Sequence, residues 1–80
     1  MKTSPTQPLN HRLGAVVRFR RIATGRTQTA LARALGLPPS SACDLEKGRT
    51  TWSVEYAASA ARFLETPLAV LLAEARAEAP

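Results

Sequence analysis

Several patterns that would point to enzymes, secreted domains or membrane proteins are missing from this chain. It has one cysteine, Cys43, so no intrachain disulfide can form, and this fits a reducing, cytoplasmic compartment. It has one histidine, His11, far from Cys43 in sequence, with no Cys-x-x-Cys pair, paired histidines or glycine-rich phosphate loop. No catalytic activity, metal or cofactor is therefore expected, and His11 reads as a first-turn surface residue. No apolar run approaches the roughly 20 residues of a bilayer span, and the basic N-terminus lacks a following apolar signal segment. Aromatic residues make up only 5% of the chain. The apolar content is mostly Ala, Leu and Val, which suits small packed helices better than a sandwich or barrel. No segment alternates with the period of two that marks a strand.

Acid is missing from the entire first half. Residues 1–40 hold seven Lys/Arg and no Asp or Glu, whereas residues 41–80 hold four Lys/Arg and six Asp/Glu. Halves of +7 and −2 give the net charge of +5 and a pI near 10.7. Such asymmetry marks a surface for a polyanion, with nucleic acid first and an acidic membrane second. Eighty residues make one domain. A domain of this size buries only about 60% of its unfolded surface, so a partner chain would add stability.

The punctuation predicts five helices. Residues 1–9 read as a flexible tail with two prolines, followed by a domain over 10–76 and a short tail over 77–80. Asn10 is a good cap for a first helix of about 11–23, with Leu13, Val16, Val17 and Ile22 apolar and Arg12, Arg18, Arg20 and Arg21 on other faces. Thr27 caps a second helix, about 28–35, with Leu31, Ala32 and Leu35 inward and Gly36 ending it. Pro38-Pro39 opens a third, about 39–46, because a first helical turn tolerates proline; Ser40 is an alternative cap. Ser53 caps a fourth, about 54–64, and Thr66-Pro67 restarts the chain in a fifth, about 67–76.

The second and third helices, each about two turns long and joined through Gly36, have the layout of a helix-turn-helix. The residues in that layout add to it: Thr27-Gln28, Leu31-Ala32, Gly36 and Leu45-Glu46-Lys47-Gly48. With "LGAVVRFRR" upstream and "AARFLETPLAVLL" downstream, the chain resembles the Cro/repressor-type (XRE-like) helix-turn-helix family over roughly residues 12–72. The resemblance implies a compact all-α, five-helix, lambda-repressor-like domain that binds double-stranded DNA.

The resemblance also implies roles. Gln28, at a helix start where free amides can meet a phosphate, would contact the DNA backbone and brace the recognition helix. Glu46 lies at a helix end that disfavours a carboxylate, and the family pairs it with an arginine at the position of Arg21. Arg21 and Glu46 are thus expected as a structural ion pair. Arg26, Thr27, Lys47 and Arg49 are the expected backbone contacts, although Arg26 stands where relatives carry an aliphatic residue. Arg18 and Arg20 either extend the basic surface or are simply solvated. Base reading would fall to Pro39, Ser40, Ser41 and Asp44, a set of short groups that reads weakly. Ala42 is inward, and Cys43 is a packed small residue or a redox sensor.

A family dimer would use the start of the fifth helix and the linker before it, so Leu68, Val70 and Leu71 are the expected interface. Trp52, the only tryptophan, either folds onto its own chain or joins that contact. Three readings follow. One is a homodimeric, sequence-specific transcription regulator of a prokaryote or phage, most simply a repressor acting at the nucleoid and touching RNA polymerase or occluding a promoter. Another is an antitoxin or restriction-modification controller with a toxin or similar partner. The last is a protein-interaction module that has lost base reading.

Overall fold

A computed structural model describes residues 8–77, and residues 1–7 and 78–80 lie outside the described region. The expected tails over 1–9 and 77–80 fall largely there. The described chain forms five helices: α1 (Leu9–Ala23), α2 (Gln28–Leu35), α3 (Pro39–Glu46), α4 (Val54–Phe63) and α5 (Leu68–Arg76). Among the described residues there is no strand. Among the described residues no helix is long and apolar enough to cross a membrane.

Local chemistry accounts for the helix starts. The hydroxyls of Thr27 and Ser53 accept from the backbone N–H of Ala30 and Tyr56, each at 3.0 Å, so each caps an amide that the helix leaves unpaired. Prolines take over elsewhere: Pro38 precedes α3 with Pro39 in its first turn, Pro67 precedes α5, and Pro8 precedes α1. Ser40 therefore lies inside α3 and does not cap it. Asn10, expected as the cap of the first helix, is instead its second residue, and Leu9 belongs to the helix.

The core is drawn from all five helices. Val17, Leu31, Ala42, Ala60 and Leu71 are fully enclosed, and Leu13, Leu45, Ala57, Leu64 and Ala75 surround them. α1 packs on α3 and α5, α2 packs on α3 and α4, and α4 packs on α5. Gly14 permits the α1–α3 crossing, since a Cβ there would lie 2.4 Å from the Leu45 carbonyl oxygen and 2.7 Å from that of Glu46. Phe19 is 74% exposed, and Ile22, grouped by spacing with the apolar residues of the first helix, is 51% exposed. The five-residue step from Val17 carries it off the buried stripe.

Leu71, expected at a dimer contact, and Trp52, expected either there or folded onto its own chain, are both enclosed within the chain. Leu71 is completely covered. The indole nitrogen of Trp52 donates to the Leu45 carbonyl oxygen at 3.0 Å, so its one polar atom is satisfied internally. This ring and Gly14 meet α3 at the same carbonyl.

Candidate nucleic-acid interface

The helix pair is joined by a closed turn. The N–H of Leu37 reaches the Ala32 carbonyl at 2.9 Å and that of Gly36 the Arg33 carbonyl at 3.1 Å, with Gly36 in the left-handed region. This closure satisfies two end carbonyls of α2 and aims the chain directly into α3. Buried Leu31, Ala32 and Leu35 of α2 and Ala42 and Leu45 of α3 belong to one core cluster. The outer face of α3 is left free.

Glu46 fixes that face from below. Its carboxylate accepts from Arg21 Nε at 2.6 Å and Nη2 at 3.1 Å, and from Gln28 Nε2 at 2.8 Å. Arg21 also donates from Nη1 to the Arg26 carbonyl at 2.9 Å. Both ion-pair partners are buried. Three helices thus meet at one carboxylate: α1 through Arg21, α2 through Gln28, and α3 through Glu46 itself. Gln28 spends its amide N–H on this brace and is half-buried.

Of the expected base-reading residues, Pro39, Ser40 and Ser41 open α3 and Asp44 lies one turn further along. Pro39 and Ser40 are exposed, while Ser41 and Asp44 are half-buried. Arg49 lies 3.8 Å from Asp44, a loose, solvent-open pair, and its backbone N–H closes the helix on the Asp44 carbonyl at 2.8 Å. Exposed Lys47 and Arg49 follow α3 directly, and exposed Thr27 precedes α2. Thr29 and Arg33 of α2 line a shallow depression with Leu37 and Pro39, beside the same turn. Arg33 was not singled out from the sequence. Its position on α2 opposite Leu31 and Leu35 was the available signal.

Two arginines are placed differently from expectation. Arg26 is half-buried, donates to the Phe63 carbonyl, lies 3.3 Å from Glu65, and stacks 5.3 Å from the centre of the Phe63 ring. It ties the α1–α2 turn to the end of α4 and is not a free backbone clamp. Arg20 reaches across to α5, where Nε donates to Glu74 Oε1 at 2.8 Å and Nη2 to Oε2, and Nη1 donates to Thr66 at 3.4 Å. The hydrogen bond from Arg20 holds the Glu74 carboxyl below its usual range, against the opposing effect of desolvation.

Among the described residues no group of three His, Cys, Asp or Glu side chains stands close enough to hold an ion. Cys43 is half-buried.

The chain matches the helix-turn-helix domain family over residues 12–78. It is similar to the clp gene regulator ClgR from Corynebacterium glutamicum in two crystal structures. In one, the identity is 37% and the TM-score 0.84, over 89% of this chain and 76% of that one. In the other, the identity is 36% and the TM-score 0.82, over 88% of this chain and 91% of that one. No curated protein matches it significantly. With the family match spanning most of the chain and the α2–α3 pair in place, this protein belongs to the helix-turn-helix domain family.

Proposed function

We propose that this protein binds double-stranded DNA in a sequence-dependent way and regulates transcription, as a homodimer that represses by occupying a near-palindromic operator. The observation that carries this reading is the exposed first turn of α3, held rigid by the Arg21–Glu46–Gln28 junction and flanked by exposed Lys47 and Arg49. A helix end presented in this way enters a major groove, with base-edge groups in front and cations at the phosphates on either side. The similarity to a clp gene regulator supports the same role. Thr27, Gln28, Lys47 and Arg49 would set register on the backbone, with Pro39, Ser40, Ser41 and Asp44 facing the bases.

The dimer contact falls on the remaining candidates, Leu68 and Val70. Leu68 lines an apolar groove of about 290 Å³ together with Leu9, Leu13, Trp52, Val54 and Leu72, and Val70 is exposed on the same helix. Val54 is 79% exposed, a large apolar group on a small surface. A dimer on a near-palindrome needs its two recognition helices about 34 Å apart, one per half-site.

The test is a titration against the DNA upstream of the protein's own gene and against random duplex, at two salt concentrations. The regulator reading requires a preference of about a thousandfold or more and a steep loss of affinity with salt. Equal and feeble binding to both would overturn it. Sedimentation of Val70→Glu against the parent checks the dimer surface, since a buried like-charge pair should yield monomers.

A further inference from the structure

Asn10 lies on the second residue of α1, where the sequence suggested a helix cap. Its side chain does something else. Asn10 Nδ2 donates to the Thr50 carbonyl at 3.0 Å, and Asn10 Oδ1 accepts from the Trp52 N–H at 2.6 Å. The carboxamide grips the chain on both sides of Thr51, 40 and 42 residues away in sequence. It acts as a neighbouring peptide group would, giving one donor and one acceptor to a segment with no strand partner.

This grip falls on the linker that carries the exposed Lys47, Arg49, Thr50 and Thr51. The linker is fastened at three places. Gly48 and Arg49 close the end of α3 on the Leu45 and Asp44 carbonyls at 3.1 and 2.8 Å. The Trp52 indole is bonded to the Leu45 carbonyl. Between these two points, Asn10 bonds both the Thr50 carbonyl and the Trp52 backbone N–H. α1 supplies a firm base for it, because Leu13 and Val17 on the next turns are locked into the core.

We propose that Asn10 is a positioning residue for DNA-backbone contact: it pre-orders the 49–52 linker so that Arg49 and its neighbours meet phosphate without further ordering. This rests on the DNA-binding reading above. The chemistry is selective. Asparagine has a donor and an acceptor on one short planar group; aspartate only accepts, and alanine does neither. A pre-ordered segment binds more tightly because the entropy of fixing it has been met during folding.

The test compares the full chain with Asn10→Ala and Asn10→Asp on a mixed-sequence 20-base-pair duplex, over a salt series, at a temperature where circular dichroism shows all three folded. Amide exchange is followed in parallel. Asn10→Ala should lose about tenfold in affinity, as expected for losing the order of one or two residues. Its plot of log affinity against log salt should flatten by about one unit, the loss of one phosphate contact. Exchange should quicken at Trp52 and its neighbours while helix amides stay protected. Asn10→Asp keeps the acceptor for Trp52 but sets an oxygen against the Thr50 carbonyl, so it should fall between the two or match alanine.

A lowered melting temperature with unchanged affinity and salt slope would overturn the proposal and leave Asn10 a stabilising contact alone. Unchanged exchange at Trp52 would overturn it as well. A parent protein that binds no duplex at any salt would overturn both this proposal and the reading beneath it, and would be seen before any variant is compared.

Discussion

Arg21 and Glu46 form a two-pronged ion pair inside the protein, with Nε to Oε2 at 2.6 Å and Nη2 to Oε1 at 3.1 Å. A pair this buried is worth little compared with apolar residues of the same size, because desolvation offsets the attraction. Breaking one side is costly, because the other charge stays buried. Arg21→Ala is expected to lower stability by about 3–5 kcal/mol. Arg21→Met with Glu46→Leu should recover much of that. Urea unfolding of the singles and the double checks this, and a loss in the double equal to the sum of the two single losses would mean the partners are independent.

Gly14 is tested by adding one carbon. Alanine in a helix interior ordinarily stabilises by about 1 kcal/mol over glycine. At position 14 the new Cβ would sit 2.4 Å from a backbone oxygen of α3, which cannot turn aside as a side-chain tip would. Overpacking outweighs propensity, and Gly14→Ala is expected to cost about 2 kcal/mol net, or roughly 10 °C in melting temperature. An unchanged or raised melting temperature would show that α1 can slide on α3.

Glu65 points the other way. α1, α2 and α3 each end on a glycine in the left-handed region, whereas α4 ends on Glu65 with φ of 54°. The Cβ is strained there, and the ion pair from Glu65 to Arg26 is mostly in water, with the Glu65 side chain 79% exposed. Glu65→Gly should therefore stabilise the domain by about 1 kcal/mol and raise its melting temperature by about 4–8 °C. A fall instead would mean that the Arg26 contact outweighs the strain.

These positions divide what a single sequence can tell from what it cannot. α2 and α3 are legible to the residue because caps, prolines and glycines act on their immediate neighbours. The arginine–glutamate junction was reachable because family resemblance carries long-range pairing that periodicity does not. Asn10, Arg20 and Arg26 were assigned local or surface roles, yet their partners lie more than 35 positions away. Nothing in local sequence distinguishes an asparagine that caps a helix from one that grips a distant loop. Trp52 was left between its own chain and a dimer contact, and its ring folds onto α3, where the indole N–H meets the Leu45 carbonyl. Leu71 was misplaced because α5 is apolar on too many faces for its sequence to reveal the buried one.

The Arg20–Glu74 contact predicts a pH dependence. The hydrogen bond from Arg20 lowers the Glu74 pKa, and a carboxyl lowered on folding adds stability above its unfolded value, near 4.3. That stability is lost as pH falls through the lower folded value. Glu74→Gln should therefore melt a little below the parent at about pH 7 and level with it at about pH 2, where both side chains are uncharged. The contact is open to solvent, with Glu74 42% exposed, so the gap should shrink in high salt. A gap that persisted unchanged at low pH would show that the contact does not depend on the carboxylate charge.

The division of labour on the DNA face predicts opposite behaviour for neighbouring residues. Gln28 is anchored to Glu46 and sits at the start of α2, so it meets backbone, if DNA binds as proposed. Gln28→Ala should weaken binding to every sequence by a similar factor. Ser40 is exposed in the first turn of α3, and Asp44 lies one turn further along. Ser40→Ala or Asp44→Ala should instead change which sequence is preferred, shifting discrimination at one base pair by about 1–3 kcal/mol. Asp44→Ala has a second effect, because it frees Arg49 from its loose ion pair and removes a charge that repels phosphate. Binding to random duplex should rise even as operator preference falls. Arg26→Ala supplies the contrast: its guanidinium is held by Phe63 and Glu65, so it should cost stability and leave the salt slope of binding unchanged. Selections from a randomised duplex pool, read alongside salt titrations, measure both quantities on the same proteins. If Gln28→Ala changed the preferred sequence while Ser40→Ala weakened all sequences alike, the roles of α2 and α3 at the groove would have to be exchanged.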